Sequence, residues 1–322
     1  MKKQFVSELK AGDAVNDIFV LLEKSLAQKK DGNNFLNVVL ADKTGNIKAV
    51  LWDNLDQIAA AGISSGDFVH ILGNVNEYRG DRQLVVKNMA GCSAESVNPT
   101  DFIASTSHNV ENMFERLVNL TGSIKTDYIK ALIQIFWNDA EFVRKFKTAP
   151  AAKKMHHAYI GGLLEHTLSM ALLVDGIAGH YSGIDMDLLY AGVILHDIGK
   201  IREFEYNQRI DYTDEGRLLS HIVIGLQMLD AKLREIENFP AEKAVLLKHL
   251  IVSHHGTREF GSPELPKTIE AVLLNYIDEI DSKVNGIRNF MSSEDPAESW
   301  TSYHRLLGRQ FYTGKGKEED TN

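Results

Sequence analysis

The sequence predicts a multidomain chain of β + α class, with an N-terminal β-barrel followed by an all-α helical bundle. Three observations predict it. Residues 15–90 alternate apolar and polar side chains between Gly- and Asp-containing turns, as half-buried strands do. From about Asn109 the apolar spacing becomes helical. Between the two lies a polar stretch with Gly91, Ser93, Ser96, Pro99, Ser105 and Ser107. The expected division is therefore barrel 1–92, linker 93–107, helical domain 108–314, and a charged, disordered tail 315–322.

Composition narrows the class. A length of 322 residues allows one large or two ordinary domains, and 44% hydrophobic content supplies real cores. Cys92 is the only cysteine, so no internal disulfide and no thiolate zinc cluster can form, which fits a reducing cytoplasm. Lys2 and Lys3 have no apolar run behind them, so no secretory signal is expected. No apolar stretch approaches the ~20 residues of a membrane helix. A net charge of −9 argues against holding nucleic acid by bulk charge alone. Residues 1–95 carry only −1 of it, from 11 Lys+Arg against 12 Asp+Glu. Two bound divalent cations would offset four charges in the acidic remainder and present a cationic pocket to phosphate.

In the barrel, Asp17 to Leu26 reads as the first strand and Phe35 to Leu40 as the second. Turn residues 42–45 lead into a third, Ile47 to Trp52. Asn54 to Ala61 reads as a helix, and strands Phe68 to Val75 and Gln83 to Val86 flank a hairpin turn at 78–81. Five strands with a helix between the third and fourth is the OB-fold order, a barrel that often binds single strands. Phe35 and Trp52 are expected in the barrel core, whereas Tyr78, Arg79 and Arg82 at the turn are expected to touch substrate, with Lys87 a further candidate. His70 reads as an ordinary strand residue.

The helical part begins with three packing stripes, around Val110–Val118, Ile129–Phe136 and Phe142–Phe146. Lys153, Lys154, His156 and His157 follow in a loop, and Lys154, His156 and His157 are candidates for contacting a phosphate backbone. Gly161 and Gly162 start a helix to Ala178 with His166 one turn inside. Asp185 to Leu195 is a helix leading to His196 and Asp197; residues 201–213 read as a loop or short hairpin. Ser220 is expected to cap the next helix, beside His221. Pro240 opens another that ends at His254 and His255, and Thr268 to Val284 carries Asp278 and Asp281. His108, His180, His249 and His304 are read as structural.

The chemistry centres on His196-Asp197. Burying an unpaired carboxylate costs several kcal/mol, roughly, and a divalent cation is the simplest partner. His and Asp suit zinc, manganese, iron or cobalt. Adjacent helical residues point ~100° apart, so His196 and Asp197 are not expected to meet one ion from a regular helix; two ions bridged by Asp197 remove the difficulty. Lys200, four residues after His196, can reach a phosphate oxygen.

The order His166, His196-Asp197, His221, His254-His255, Asp278 resembles the HD-domain metal-dependent phosphohydrolases of the two-metal kind. That resemblance implies one ion on His166, His196, Asp197 and Asp278, and a second on Asp197, His221, His254 and His255. A one-ion site on the first set stays open. Glu165 and Asp281 are then expected to orient the ligand imidazoles. His156-His157 with 161–166, Ser253-His-His-Gly256 with 259–263, and 278–283 are similar to the YhaM-type bacterial 3′→5′ exoribonucleases, which join an OB domain to an HD domain. This implies removal of nucleoside 5′-monophosphates from single-stranded RNA, or single-stranded DNA, with Mn²⁺ (or Co²⁺ or Fe²⁺). Two alternatives stand beside it: a phosphohydrolase of nucleotides or cyclic dinucleotides, and a non-enzymatic DNA-binding replication factor. Cyclic-dinucleotide enzymes carry Gly-Tyr-Pro after the His pair, where this chain has Gly256-Thr-Arg-Glu-Phe-Gly-Ser-Pro263.

Overall fold

The alternating segment forms a closed barrel. The computed structural model describes residues 2–28, 32–53, 55–78, 80–153, 155–177, 179–207, 209–292, 294 and 298–314. Its strands are β1 (Ala14–Gln28), β2 (Asn34–Asp42), β3 (Gly45–Leu51), β4 (Phe68–Tyr78) and β5 (Asp81–Gly91), closing in the order β1-β2-β3-β5-β4. Neighbours are antiparallel except β3 and β5, which run parallel with Ala49 opposite Leu84. Helix α1 (Leu55–Ala60) joins β3 to β4, so the OB order read from the sequence holds. Inward positions such as Phe19, Leu21, Leu40, Ile71 and Leu84 are wholly buried. At Gly73 a Cβ would lie 2.5 Å from the Val85 carbonyl, beside the β4–β5 bulge, so only glycine lets the two strands approach there.

Two aromatic side chains depart from expectation. Phe35 and Trp52 are not core: Phe35 is half-buried, Trp52 is 38% exposed, and their rings pair at 4.7 Å. The reason is register. Phe35 precedes the alternating run Leu36, Val38, Leu40, of which Val38 and Leu40 turn fully inward, and Trp52 lies just past the end of β3. Tyr78 is exposed at the end of β4. The Arg82 guanidinium donates to the Leu9 carbonyl at 2.6 Å and so anchors the N-terminal segment. Arg79, Lys154 and the tail 315–322 lie outside the described residues.

The chain divides into two compact units, 1–105 with 205–211 and 106–204 with 212–322. Within the first, Phe102 follows two short 3₁₀ turns and packs on Phe68 at 4.7 Å, in the stretch read as linker.

The second unit holds α2 (Val110–Thr121), α3 (Asp127–Asn138), α4 (Ala140–Thr148), α5 (Gly162–Ile177), α6 (Met186–Leu195), α7 (Lys200–Glu203), α8 (Asp214–Leu233), α9 (Ala241–Ser253) and α10 (Ile269–Ser292). Asn109, Asp139, Asp185 and Thr213 cap α2, α4, α6 and α8, each accepting an amide hydrogen from the first turn. Every residue from Leu188 to Leu195 is buried, which makes α6 the centre of the bundle. Residues 201–213, read as loop or hairpin, contain the end of α7 and a two-residue strand pair. Helix α8 is kinked at Ser220 (φ 59°, ψ 162°), and α10 runs eight residues past the expected end at Val284. Beyond α10 the chain turns back on itself, with Thr301 N–H donating to Phe311 O and His304 N–H to Arg309 O, both at 2.9 Å. No described helix is long and apolar enough to cross a membrane.

Candidate metal centre

Five elements of the second unit send side chains to one point. Helix α5 supplies His166 and the turn after α6 supplies His196 and Asp197. His221 follows the α8 kink, His254 and His255 follow α9, and Asp278 stands on α10. The α6–α7 turn packs directly on α8: a Cβ on Gly199 would lie 2.0 Å from the His221 carbonyl.

Asp197 is the hub. Its Oδ2 lies 3.3 Å from His196 Nε2, 3.7 Å from His166 Nε2 and 2.5 Å from Lys200 Nζ. Its Oδ1 lies 3.6 Å from both His221 Nε2 and His254 Nε2. His166 Nε2 also stands 3.4 Å from Asp278 Oδ1, and the His221, His254 and His255 rings cluster beside it. The helical-geometry objection to His196 and Asp197 meeting is thereby corrected. Helix α6 stops at Leu195, and in the tight turn that follows the two side chains converge. Burial pushes the Asp197 carboxyl up, but Lys200 and His196 outweigh it and hold it well below the usual carboxylate range. Lys200 is buried too, which pushes it down, yet Asp197 and Asp278 raise it above its ordinary value.

All five imidazoles engage an oxygen through Nδ1. The partners are Asp281 Oδ2 for His166 (2.7 Å), Val193 O for His196 (2.9 Å) and Glu203 Oε1 for His221 (3.0 Å). Ile251 O serves His254 (2.6 Å) and Phe260 O serves His255 (2.8 Å). A carbonyl or carboxylate only accepts, so Nδ1 carries the proton and the neutral ring's lone pair is on Nε2. Burial, with His255 nearby, holds His254 well below its ordinary value and so neutral. Asp197 Oδ1, His221 Nε2 and His254 Nε2 are buried with no hydrogen-bond partner among the described residues. Orphans of this kind cost about 1–3 kcal/mol each. Three facing one another, all acceptors, fit a cation.

Behind the rings lies a supporting network. Asp281, buried, takes His166 Nδ1, His157 Nε2 at 2.8 Å and the Ser169 hydroxyl. His157 Nδ1 meets the Tyr159 hydroxyl at 2.8 Å, and that hydroxyl donates to Glu165 Oε1 at 2.9 Å. Thr106 donates to Glu165 Oε2. His157 is only 2% exposed, so it is corrected from a loop residue touching phosphate to one buried behind His166. His156 does face the open side; burial, Lys200 and His166 push it down to about 3. Sequence reasoning passed over Glu203, whose Oε1 accepts from both the ring and the amide of His221. It also passed over Ser169, Tyr159 and Thr106. A Glu in mixed sequence gives no signal, although Ser169 stands three residues after His166, on its helical face.

With this geometry in hand, comparisons place the chain. An HD-domain model matches residues 163–283, and a model of the OB-fold nucleic acid binding domain matches 20–90. A third, TraI_2, named for a helicase, matches 96–181, which contain no glycine-rich lysine loop for nucleoside triphosphate. The 3′-5′ exoribonuclease YhaM of Bacillus subtilis is 34% identical over 304 residues, 94% of this chain and 95% of that protein. The chain belongs to the YhaM family. A second YhaM, from Geobacillus, is 34% identical over 92% of this chain and 91% of its own. YhaM membership and the HD match make divalent-metal dependence a property of this chain, and the His and Asp clusters are where such an ion can be held.

Proposed function

We propose that this chain is a metal-dependent 3′→5′ exoribonuclease that releases nucleoside 5′-monophosphates from single-stranded RNA, with single-stranded DNA a second substrate. The observation that carries the reading is the trio of orphaned acceptors, Asp197 Oδ1, His221 Nε2 and His254 Nε2, at the heart of a chain matching YhaM along 94% of its length. Two ions are proposed, manganese first, with cobalt or iron as substitutes. His166, His196, Asp197 and Asp278 hold one; Asp197, His221, His254 and His255 hold the other. When bound, such ions supply a nucleophile from water near neutral pH and counter-charge for the phosphoryl oxygens. Asp197, ionised, offers one oxygen to each set. Lys200, charged and buried beside it, donates to a non-bridging phosphate oxygen and steadies the charge that grows there. His156, neutral, borders the same opening and accepts from the scissile nucleotide. Asp281 and Glu203 fix the rings of His166 and His221. In the barrel, the Phe35–Trp52 ring pair, half-buried at Phe35 and 38% exposed at Trp52, is proposed as a stacking platform for bases, with Tyr78, exposed at the end of β4, a separate contact. A single cysteine suits a cytoplasmic setting.

The test is purified protein with Mn²⁺ and 5′-labelled single-stranded RNA, run beside a cyclic dinucleotide and duplex DNA. A descending ladder is expected from RNA, and none from a His196→Ala protein. Linearised cyclic dinucleotide with intact RNA, or a mobility shift without products, would each sink the exonuclease reading.

A further inference from the structure

The opening in front of the metal residues is a cavity of about 420 Å³ with a mixed lining. Lys200, His156, His255 and Asp278 are among its polar residues. Phe260, Leu306 and Leu307 are among its apolar ones. The apolar residues come from two segments that supply no proposed metal ligand. Phe260 ends the 3₁₀ turn (Arg258–Phe260) after the His254-His255 pair, and its own carbonyl holds His255 Nδ1 at 2.8 Å. Leu306 and Leu307 form the tip of the C-terminal hairpin.

That hairpin is built to hold its tip in place. His304 and Arg309 bridge across it, Gly308 turns it at φ 66°, and the Thr301 hydroxyl accepts from Phe311 N–H at 3.0 Å. Its base is fastened to the end of α10: Phe290 meets the His304 ring edge-on at 4.5 Å, and Glu294 takes both the amide and hydroxyl of Ser302. Yet Leu306 is 76% exposed and Phe260 65% exposed. Exposed apolar side chains that line one cavity with Lys200 and the proposed metal ligands fit a partner with an apolar face next to its phosphate. A nucleotide answers that description, and 420 Å³ is near the lower end of the ~300–1,000 Å³ of ligand pockets, room for one nucleotide.

We propose that Phe260, Leu306 and Leu307 form the subsite for the 3′-terminal nucleobase, a reading that rests on the exonuclease activity proposed above. Such a lining grips a base by its face. None of these three side chains offers a donor or acceptor to the base edge, so what they supply is contact with the ring face. The scissile phosphate then lies against Lys200 and the metal residues, and the cut falls one nucleotide from the end.

Leu306→Ser and Leu307→Ser, both on the hairpin tip, are compared with the unaltered full-length protein and Mn²⁺ on two substrates: single-stranded RNA and bis(4-nitrophenyl) phosphate, whose small diester needs no base subsite. Each variant is expected to raise KM for RNA about tenfold and to leave turnover of the small diester within about twofold. RNA ending in an abasic 3′ nucleotide is expected to bind the unaltered protein as weakly as normal RNA binds the variants. An unchanged KM for RNA in both variants overturns the subsite. So does an equal loss on both substrates, which would assign these residues to the metal centre instead. If the unaltered protein cleaves the small diester but not RNA, the exonuclease reading falls and the subsite with it, an outcome distinct from the other two.

Discussion

At Asp281 one carboxylate sets the direction of two imidazoles. Burial alone would push its carboxyl up, but hydrogen bonds from His157 and His166 hold it well below its ordinary 3.8. The consequence is a fixed His166 ring with its Nε2 lone pair aimed inward. Removing the charge while keeping the shape should loosen that ring: Asp281→Asn is expected to weaken Mn²⁺ binding about 10- to 100-fold. Titrating chelator-treated protein with Mn²⁺ checks this, and an unchanged affinity would show that the Nδ1 partner is immaterial. Residues at this scale were unevenly legible. His166, His196, His221 and His254 stood out as polar side chains inside apolar helical sequence. Glu203 did not, because its partner lies 18 residues away and its own neighbourhood is mixed. His157 looked like a surface residue because its burial depends on Asp281, 124 positions on.

Elements carry the site by packing as closely as backbone allows. The turn between α6 and α7 meets α8 where Gly199 faces the His221 carbonyl. Gly199→Ala is therefore expected to cost about 1–3 kcal/mol, the usual toll of overpacking. Urea unfolding would read this, and a midpoint equal to that of the unaltered chain would mean that α8 shifts freely. Helix α4 offers a pH test. Its N-cap Asp139 accepts from Phe142 N–H at 3.0 Å and pairs with Lys232 at 3.1 Å. The Phe142 hydrogen bond, against some burial and with Lys232 helping, lowers its carboxyl below the ordinary 3.8. Stability from a depressed carboxyl is present above pH 3.8 and is lost as pH falls through the lower folded value. Asp139→Ala should thus cost about 1 kcal/mol near neutrality and almost nothing in strong acid. Thermal melts across that range test it, and a pH-independent gap would refute the assignment. Helix positions were legible because α2 to α6 and α9 have apolar residues at helical spacing, with Asn109, Asp139 and Asp185 capping α2, α4 and α6. The α6 terminus at Leu195 mattered most and was hardest to use: a run of apolar residues does not say that the next two side chains lie in a turn. Phe35 and Trp52 were misjudged for a related reason. Aromatic character argues for a core, but position at the ends of β2 and β3 decides the face.

Across the whole molecule, a barrel of the nucleic-acid-binding class and an HD unit occur in one chain, and the proposed roles of the two can be tested separately. Trp52→Ala is expected to weaken RNA binding by about 1–3 kcal/mol while sparing hydrolysis of a small diester. Anisotropy with labelled RNA measures the first and the chromogenic assay the second, and undiminished RNA affinity would remove Trp52 from the contact surface. The order of the two units was readable because the periodicity changes from two to helical near Asn109. The C-terminal hairpin was not, since its strands bridge in isolated pairs and leave no alternating run. One further consequence belongs to the five locked imidazoles. Each is held through Nδ1 by an oxygen, and the proposed cage is rich in nitrogen. Among first-row metals such donors bind iron and cobalt more tightly than manganese, and zinc or copper more tightly still. Intrinsic preference therefore does not single out manganese among the proposed ions, and metal analysis of protein purified without added metal is the measurement that decides between them.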